Sequence, residues 1–235
     1  VAGTKRRQPE QQAPPVQKLR IRYAKRGRAR FTSHRDFSRA FERALRRAAI
    51  PMAYSSGFNP HPRVSFANAS PTGAATEAEY LEIGLAERCD PEAVLRELGA
   101  AMPPGLDLVQ VVEAGPGALA DRLTGSAWRI GWAGFDEAVV GAAAEKLLAA
   151  DSVLVERLTK NGIREFDARA AVVRLEVGEG VLDLLSRHQV PLVRPDDVLQ
   201  AMARVDERFE VPPAVLITRL AQGELGPDGL ADPLA

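Results

Sequence analysis

Between Lys18 and Tyr23 apolar and basic residues alternate: Leu19, Ile21 and Tyr23 on one side, Arg20 and Arg22 on the other. That period predicts a half-buried strand with one basic face. Lys25 to Arg28 reads as a turn, with the strand resuming over Ala29 to Phe31. The period then changes. Phe37, Ala40, Phe41, Ala44, Leu45 and Ala48 recur at three- and four-residue steps, the apolar stripe of an amphipathic helix. Ser33 stands at its N-cap with Asp36 three residues on, a capping-box pattern, and Pro51 sets its limit.

Met52 to Phe66 holds a short strand, a polar loop and a strand over Arg63 to Phe66. Ala69 to Thr76 is a turn region, and Ala78 to Leu85 alternates as a strand. Asp90 and Pro91 open a helix that runs to about Met102, and Leu106 to Val112 follows as a strand. The order β-α-β-β-α-β matches the ferredoxin-like arrangement. The later chain repeats the theme. Strands are expected at Trp128 to Trp132, Val153 to Thr159, Glu165 to Leu175, Val181 to Ser186 and Ala214 to Leu220. Helices are expected at Asp136 to Ala150 and Pro195 to Ala203, with a hairpin turn at Asn161-Gly162. The fold class is therefore α+β, two tandem ferredoxin-like halves with antiparallel sheets. The halves span 18–114 and 126–222, joined by a linker over 115–125. A basic tail over 1–17 and a polar tail over 223–235 are expected to be disordered.

Composition adds bounds. With 46% hydrophobic and 26% charged residues among 235, the chain reads as a soluble globular protein. No apolar run reaches the roughly eighteen residues of a membrane helix, and the first residues lack the apolar core of a signal peptide. The single cysteine, Cys89, excludes an internal disulfide and a four-thiolate metal site. A cytoplasmic location is the natural expectation. Charge changes the picture more. The net charge is zero, yet residues 1–63 hold sixteen Lys or Arg against Glu10, Asp36 and Glu42, a surplus of thirteen, and the rest carries the matching deficit. Such a split points to a basic face for an anionic partner, RNA or another polyanion. The alternative is two oppositely charged surfaces that cancel within the fold.

The candidate chemistry lies in Phe31 to Phe66. Lys25, Arg35, Arg39 and Arg43 are the candidate phosphate contacts. The loop Gly57-Phe58-Asn59-Pro60-His61-Pro62-Arg63 is stiffened by two prolines. It presents Asn59, His61 and Arg63 as donors and Phe58 as a stacking platform for a base. The competing reading is a rigid structural loop. His34 falls at the start of the helix, where an anion is favoured. If His34 and His61 converged they could act as an acid/base pair in metal-independent RNA cleavage, but spacing does not show convergence. His188 reads as structural or exposed, and Glu77, Glu79 and Glu82 as strand-surface carboxylates. The three histidines are too scattered to suggest a metal, and no cofactor is expected. Gly115 to Ala120 superficially matches a dinucleotide fingerprint, but no βαβ pattern surrounds it. In the stretch from Lys160 to Arg169, an ion pair of Asp167 with Arg169 is expected, with a second ligand contact as the alternative.

Three stretches carry a family resemblance: RARFTSHRDFSRAFERALRRAAIPMAYSSGFNPHPRVSFA, PTGAATEAEYLEIGL and KNGIREFDAR. Together they resemble uncharacterised bacterial radical SAM-linked proteins, over about residues 17–220. The resemblance implies a stand-alone accessory form and supplies no catalytic residues; the alternative to RNA binding is a non-catalytic, substrate-presenting partner of a separately encoded radical SAM enzyme. Cys89 alone cannot hold the cluster that such an enzyme needs. The two-half layout also resembles the repeat-RNA processing endonucleases of bacterial defence systems, in fold and basic helix only.

Overall fold

The computed structural model describes residues 11–159 and 162–235. They form two units: the first comprises the chain up to Ala69 with Glu79–Leu119, the second Ser70–Ala78 with Ala120–Pro233. The architecture is mixed α+β with mostly antiparallel pairing.

In the first unit the order is β1 (Gln17–Lys25), α1 (His34–Arg47), β2 (Val64–Ala67), β3 (Ala75–Leu85), α2 (Pro91–Ala101) and β4 (Leu106–Glu113). The strands lie side by side as β4-β1-β3-β2. β1 buries Leu19, Ile21 and Tyr23 against Phe37, Phe41 and Leu45 of α1 and Val94 and Leu98 of α2. Each such side chain contributes roughly 1.5–3 kcal/mol by leaving water. The predicted α1 stripe is the buried one, save that Ala48 is only half-buried. Ser33 caps α1 as expected: its Oγ accepts from the Asp36 amide at 3.2 Å. The carboxylate of Asp36 accepts from the same hydroxyl at 2.7 Å. At α2 the Asp90 carboxylate accepts from the Glu92 and Ala93 amides.

Three local expectations fail here. Residues Gly27–Phe31 form a 3-10 turn and not a resumed strand, because the Ala29 and Thr32 amides close three-residue bonds onto Arg26 and Ala29. Arg63 lies just outside β2, its amide donating to the Ala53 carbonyl. The segment before β1 is pinned: Val16 N–H donates to the Leu85 carbonyl, and the Gln17 side chain bonds both backbone groups of Cys89. The rest of the expected tail, residues 1–10, lies outside the described residues.

The second unit contains β5 (Gly125–Gly131), α3 (Glu137–Ala149), β6 (Leu154–Thr159), β7 (Gly162–Asp167), β8 (Val172–Gly178), β9 (Val181–Arg187), α4 (Pro195–Val205), β10 (Leu216–Gly226) and β11 (Gly229–Ala231). Its main sheet runs β10-β5-β9-β8, and β6 and β7 form a separate hairpin. Trp128, Ile130, Leu182 and Leu184 pack against Val140 and Leu147 of α3 and Val198 and Met202 of α4. The first residues of β3 belong to this unit because Ala75 and Thr76 pair in parallel with Thr218 and Arg219 of β10.

The expected strand Glu165 to Leu175 is broken in two. Asp167 Oδ1 accepts from the amides of Val153 and Arg169, at 3.0 and 2.9 Å, and a 3-10 turn over Arg169–Ala171 separates β7 from β8. The same bonds replace the expected Asp167–Arg169 ion pair. The Arg169 guanidinium donates instead to the carbonyls of Val172 and Leu148. Lys160 and Asn161 of that stretch lie outside the described residues. The tail expected over 223–235 is ordered: β10 extends to Gly226, and β11 folds back onto it in register Leu225 with Leu230. Pro227-Asp228-Gly229, read as tail composition, is the turn of that hairpin.

Candidate nucleic-acid interface

The outward face of α1 is the first element of the site. Burial of Phe37, Phe41 and Leu45 turns His34, Arg35, Arg39 and Arg43 to solvent. The three arginines stand four residues apart, so they form one row at steps of about 6 Å along the helix. None has a hydrogen-bond or ion-pair partner among the described residues. The two carboxylates on the helix do not reach them. Asp36 is tied to Ser33, and Glu42 lies 4.0 Å from Arg46. Arg47 is used structurally, donating to the Ala101 carbonyl at the end of α2 at 2.6 Å.

His34 heads this row. Its ring meets Phe66 edge-on, with centroids 4.7 Å apart, and Phe66 in turn meets Phe37, which stacks on Tyr23 at 4.3 Å. An aromatic chain from β1 through α1 to β2 thus ends at an exposed imidazole.

The loop before β2 forms the second element. Tyr54 and Pro62 make an isolated antiparallel bridge, and Ser55 closes the loop twice. The Ser55 amide donates to the His61 carbonyl at 2.8 Å, and the Ser55 hydroxyl accepts from the His61 amide at 3.0 Å. Gly57 takes φ +135°, a backbone state that suits glycine. Phe58 is 71% exposed at the tip beside exposed Asn59. Below the loop is a groove of about 280 Å³ lined by Pro15, Lys18, Ser55, His61, Arg63 and Glu82.

The sequence treats these residues as one site, but the fold presents two. Along β2, Phe66 faces the helices, while Ser65 faces the groove with Lys18 and Glu82. Phe66 is three residues from Arg63, about 10 Å of strand. The His34 ring packs on Phe66, while His61 lines the groove with Ser65 and Glu82. Lys25 is 5% exposed, opposite Leu106 on the core side of β1, which removes it from any surface contact. Exposed Arg28 follows it.

Sequence reasoning missed Glu82 and Lys18. Glu82 is no plain surface carboxylate: it accepts from Lys18 Nζ at 2.9 Å and Arg20 Nε at 3.3 Å. Glu79 is likewise buried, at 1% exposure. The signal for Lys18 was present in the alternation of β1, whose basic positions line up on one face. In the second unit His188 is structural. Its Nδ1–H donates to the Leu123 carbonyl at 2.7 Å, so Nε2 accepts from the Ser126 hydroxyl at 2.8 Å. Burial pushes its pKa below the usual histidine value, helped by the charge of Arg219 and opposed by the Leu123 bond. Among the described residues no three His, Cys, Asp or Glu side chains are grouped to hold a metal ion. No helix there is long and apolar enough to cross a membrane.

Fold and site together define an α+β protein with a basic helical face and a polar groove at a sheet edge. Residues 18–195 match the family described as "Uncharacterized protein conserved in bacteria (DUF2344)", and the chain belongs to that family. Curated proteins give no match. Two solved structures are similar over most of their length. One is an unknown protein from Galdieria sulphuraria, with 16% identity, 86% of this chain and 96% of that one covered, and a TM-score of 0.25. The other is the first two RRM domains of yeast poly(U) binding protein (Pub1), with 11% identity, 85% and 98% covered, and a TM-score of 0.23. Scores this low carry no argument about fold or ligand.

Proposed function

We propose that the protein binds RNA through the outward face of α1, as an accessory to RNA processing or modification. The row of Arg35, Arg39 and Arg43 is the observation that carries this reading. Three guanidiniums without internal acids cost folding stability through mutual repulsion and contribute nothing to the core. Such a row is accounted for by an external polyanion, whose release of counterions would drive binding. RNA is favoured over duplex DNA by the exposed aromatic and amide on a stiff loop, Phe58 and Asn59, which suit an unstacked base. We read each unit as a ferredoxin-like half, the second carrying the β6–β7 hairpin and β11 as additions. Cleavage by His34 and His61 is not part of this reading: His34 packs on Phe66 and His61 lines the groove.

The test is a titration of single-stranded RNA with the full chain and with an Arg39→Glu, Arg43→Glu variant. The variant should bind at least about tenfold more weakly at moderate salt. Unchanged affinity in a folded variant would contradict the proposal. A separately encoded radical SAM partner, implied by the sequence resemblance, is a further proposal. It expects an iron–sulfur protein in a pull-down with the full chain, and a pull-down free of one counts against it.

A further inference from the structure

The groove beside the loop has its own chemistry, distinct from the α1 row. At about 280 Å³ it is at the small end of ligand pockets, which run to roughly 300–1,000 Å³. It has room for a phosphate-sized group. Its one carboxylate, Glu82, is already neutralised by Arg20, which is buried and also donates to the carbonyls of Gly115 and Gly117 at 3.0 and 2.6 Å. Lys18 then spends one of its three donors on Glu82 and keeps two, on a side chain 57% exposed. Arg63 is fixed through Nε, which donates to the Tyr54 carbonyl at 3.1 Å. Both of its Nη groups are without a protein partner among the described residues. His61 is locked through its main chain by Ser55, and its ring likewise has no protein partner there. Gly84 lets the walls come close. A Cβ on it would lie 3.0 Å from Pro15 Cβ and 3.3 Å from Arg63 Cβ, so a side chain there would push the walls apart by a few tenths of an ångström.

We infer that this groove holds the terminal phosphate monoester of an RNA strand, an inference that rests on the RNA reading of α1. Lys18, Arg20 and Arg63 exceed Glu82 by two positive charges. A terminal monoester carries about −1.5 to −2 at neutral pH and three acceptor oxygens. Those oxygens match the three groups with donors to spare: Lys18, Arg63 and His61. An internal diester carries a single charge, which would leave half of that surplus unmatched. The α1 row then holds the body of the strand and the groove reads its end.

The experiment compares one short single-stranded RNA in three forms, with a 5′ phosphate, a 3′ phosphate, or hydroxyls at both ends. The full chain should bind one phosphorylated form about tenfold more tightly than the hydroxyl form. Whichever form gains identifies the end that is read. Arg63→Gln and Lys18→Gln should each lose most of that preference, bringing the ratio between the favoured phosphorylated form and the hydroxyl form close to one. The Arg39→Glu, Arg43→Glu variant should weaken all three forms together and keep their ratio. Equal binding of the three forms by the unaltered chain overturns the inference and leaves the RNA reading standing, as does a preference that survives in both groove variants. Failure to bind any form overturns both.

Discussion

Helices α1 and α3 occupy the same position in the element order of their units and differ in what they do with charge. Each is started by a side-chain cap, Ser33 or Asp136, and each buries one apolar stripe. The outward face of α3 carries Glu137, Glu145 and Lys146, and the Lys146 ammonium is bound to the Asp206 carboxylate at 3.1 Å. Elsewhere in the second unit Arg208 is tied to the same carboxylate, Arg157 to Asp197 at 2.7 Å and Arg129 to Asp183 at 2.8 Å. Those cations serve the architecture. Among the described residues the arginines of the outer row of α1 have no such partner, so part of the positive surplus of residues 1–63 stays unneutralised on that helix face. In the second unit, by contrast, Lys146, Arg208, Arg157 and Arg129 are each paired with a carboxylate.

The two cores set the largest expected effects. Phe41→Ala should cost about 3–5 kcal/mol, and Leu147→Ala in the other core about 2–5 kcal/mol, read by denaturant unfolding. Only the first should abolish RNA binding at a denaturant concentration where the other unit stays folded.

Next in size is charge. Arg39→Glu with Arg43→Glu should lower RNA affinity at least about tenfold, whereas Lys146→Glu should leave it unchanged and weaken folding by opposing Asp206. Equal losses of affinity from both would mean that net charge, and not the α1 row, governs binding.

The caps come third. Ser33→Ala and Asp136→Ala should each cost about 1 kcal/mol in thermal unfolding. The Ser33 change should also loosen the start of the arginine row, giving a small loss of RNA affinity that Asp136→Ala does not share.

The smallest effect is in pH. The Asp206 carboxyl is held below the usual carboxylate range, chiefly by its hydrogen bonds from Arg208 and then from the Lys146 ammonium. Its contribution is present above the unfolded value near 3.9 and is lost as pH falls below it. His188 titrates earlier: with its pKa lowered by burial, the unfolded chain takes up the proton first. Stability therefore falls as pH drops below about 6.5. In an acid titration followed by near-UV circular dichroism, His188→Gln should flatten the upper step and leave the lower one.

How much of this could be read from the sequence follows from how local each signal is. The α1 stripe, its Ser33 cap and the start of α2 at Asp90 and Pro91 depend on neighbours within one or two turns, and all three stand where the spacing puts them. The β7–β8 break was not legible, because it depends on Asp167 capturing the Val153 amide fourteen residues away. β11 was missed because its glycines and prolines resemble a tail until β10 is present to pair with it. Within the site, exposure of Arg35, Arg39 and Arg43 follows from the helix period alone. The placement of Lys25 on the core side, of Lys18, Glu82 and His61 in one groove, and of His34 on Phe66 needs the pairing of β1, β3 and β2. Local periodicity does not contain that pairing.

If the α1 row makes the phosphate contacts, the salt dependence of RNA affinity reports them directly. The slope of log affinity against log salt should be compared for the unaltered chain and for Arg35→Gln, Arg39→Gln, Arg43→Gln. Each phosphate contact is worth about 0.7 in that slope for a single strand, so the triple variant should be shallower by about 2. A triple variant that is folded and keeps the full slope would contradict the account.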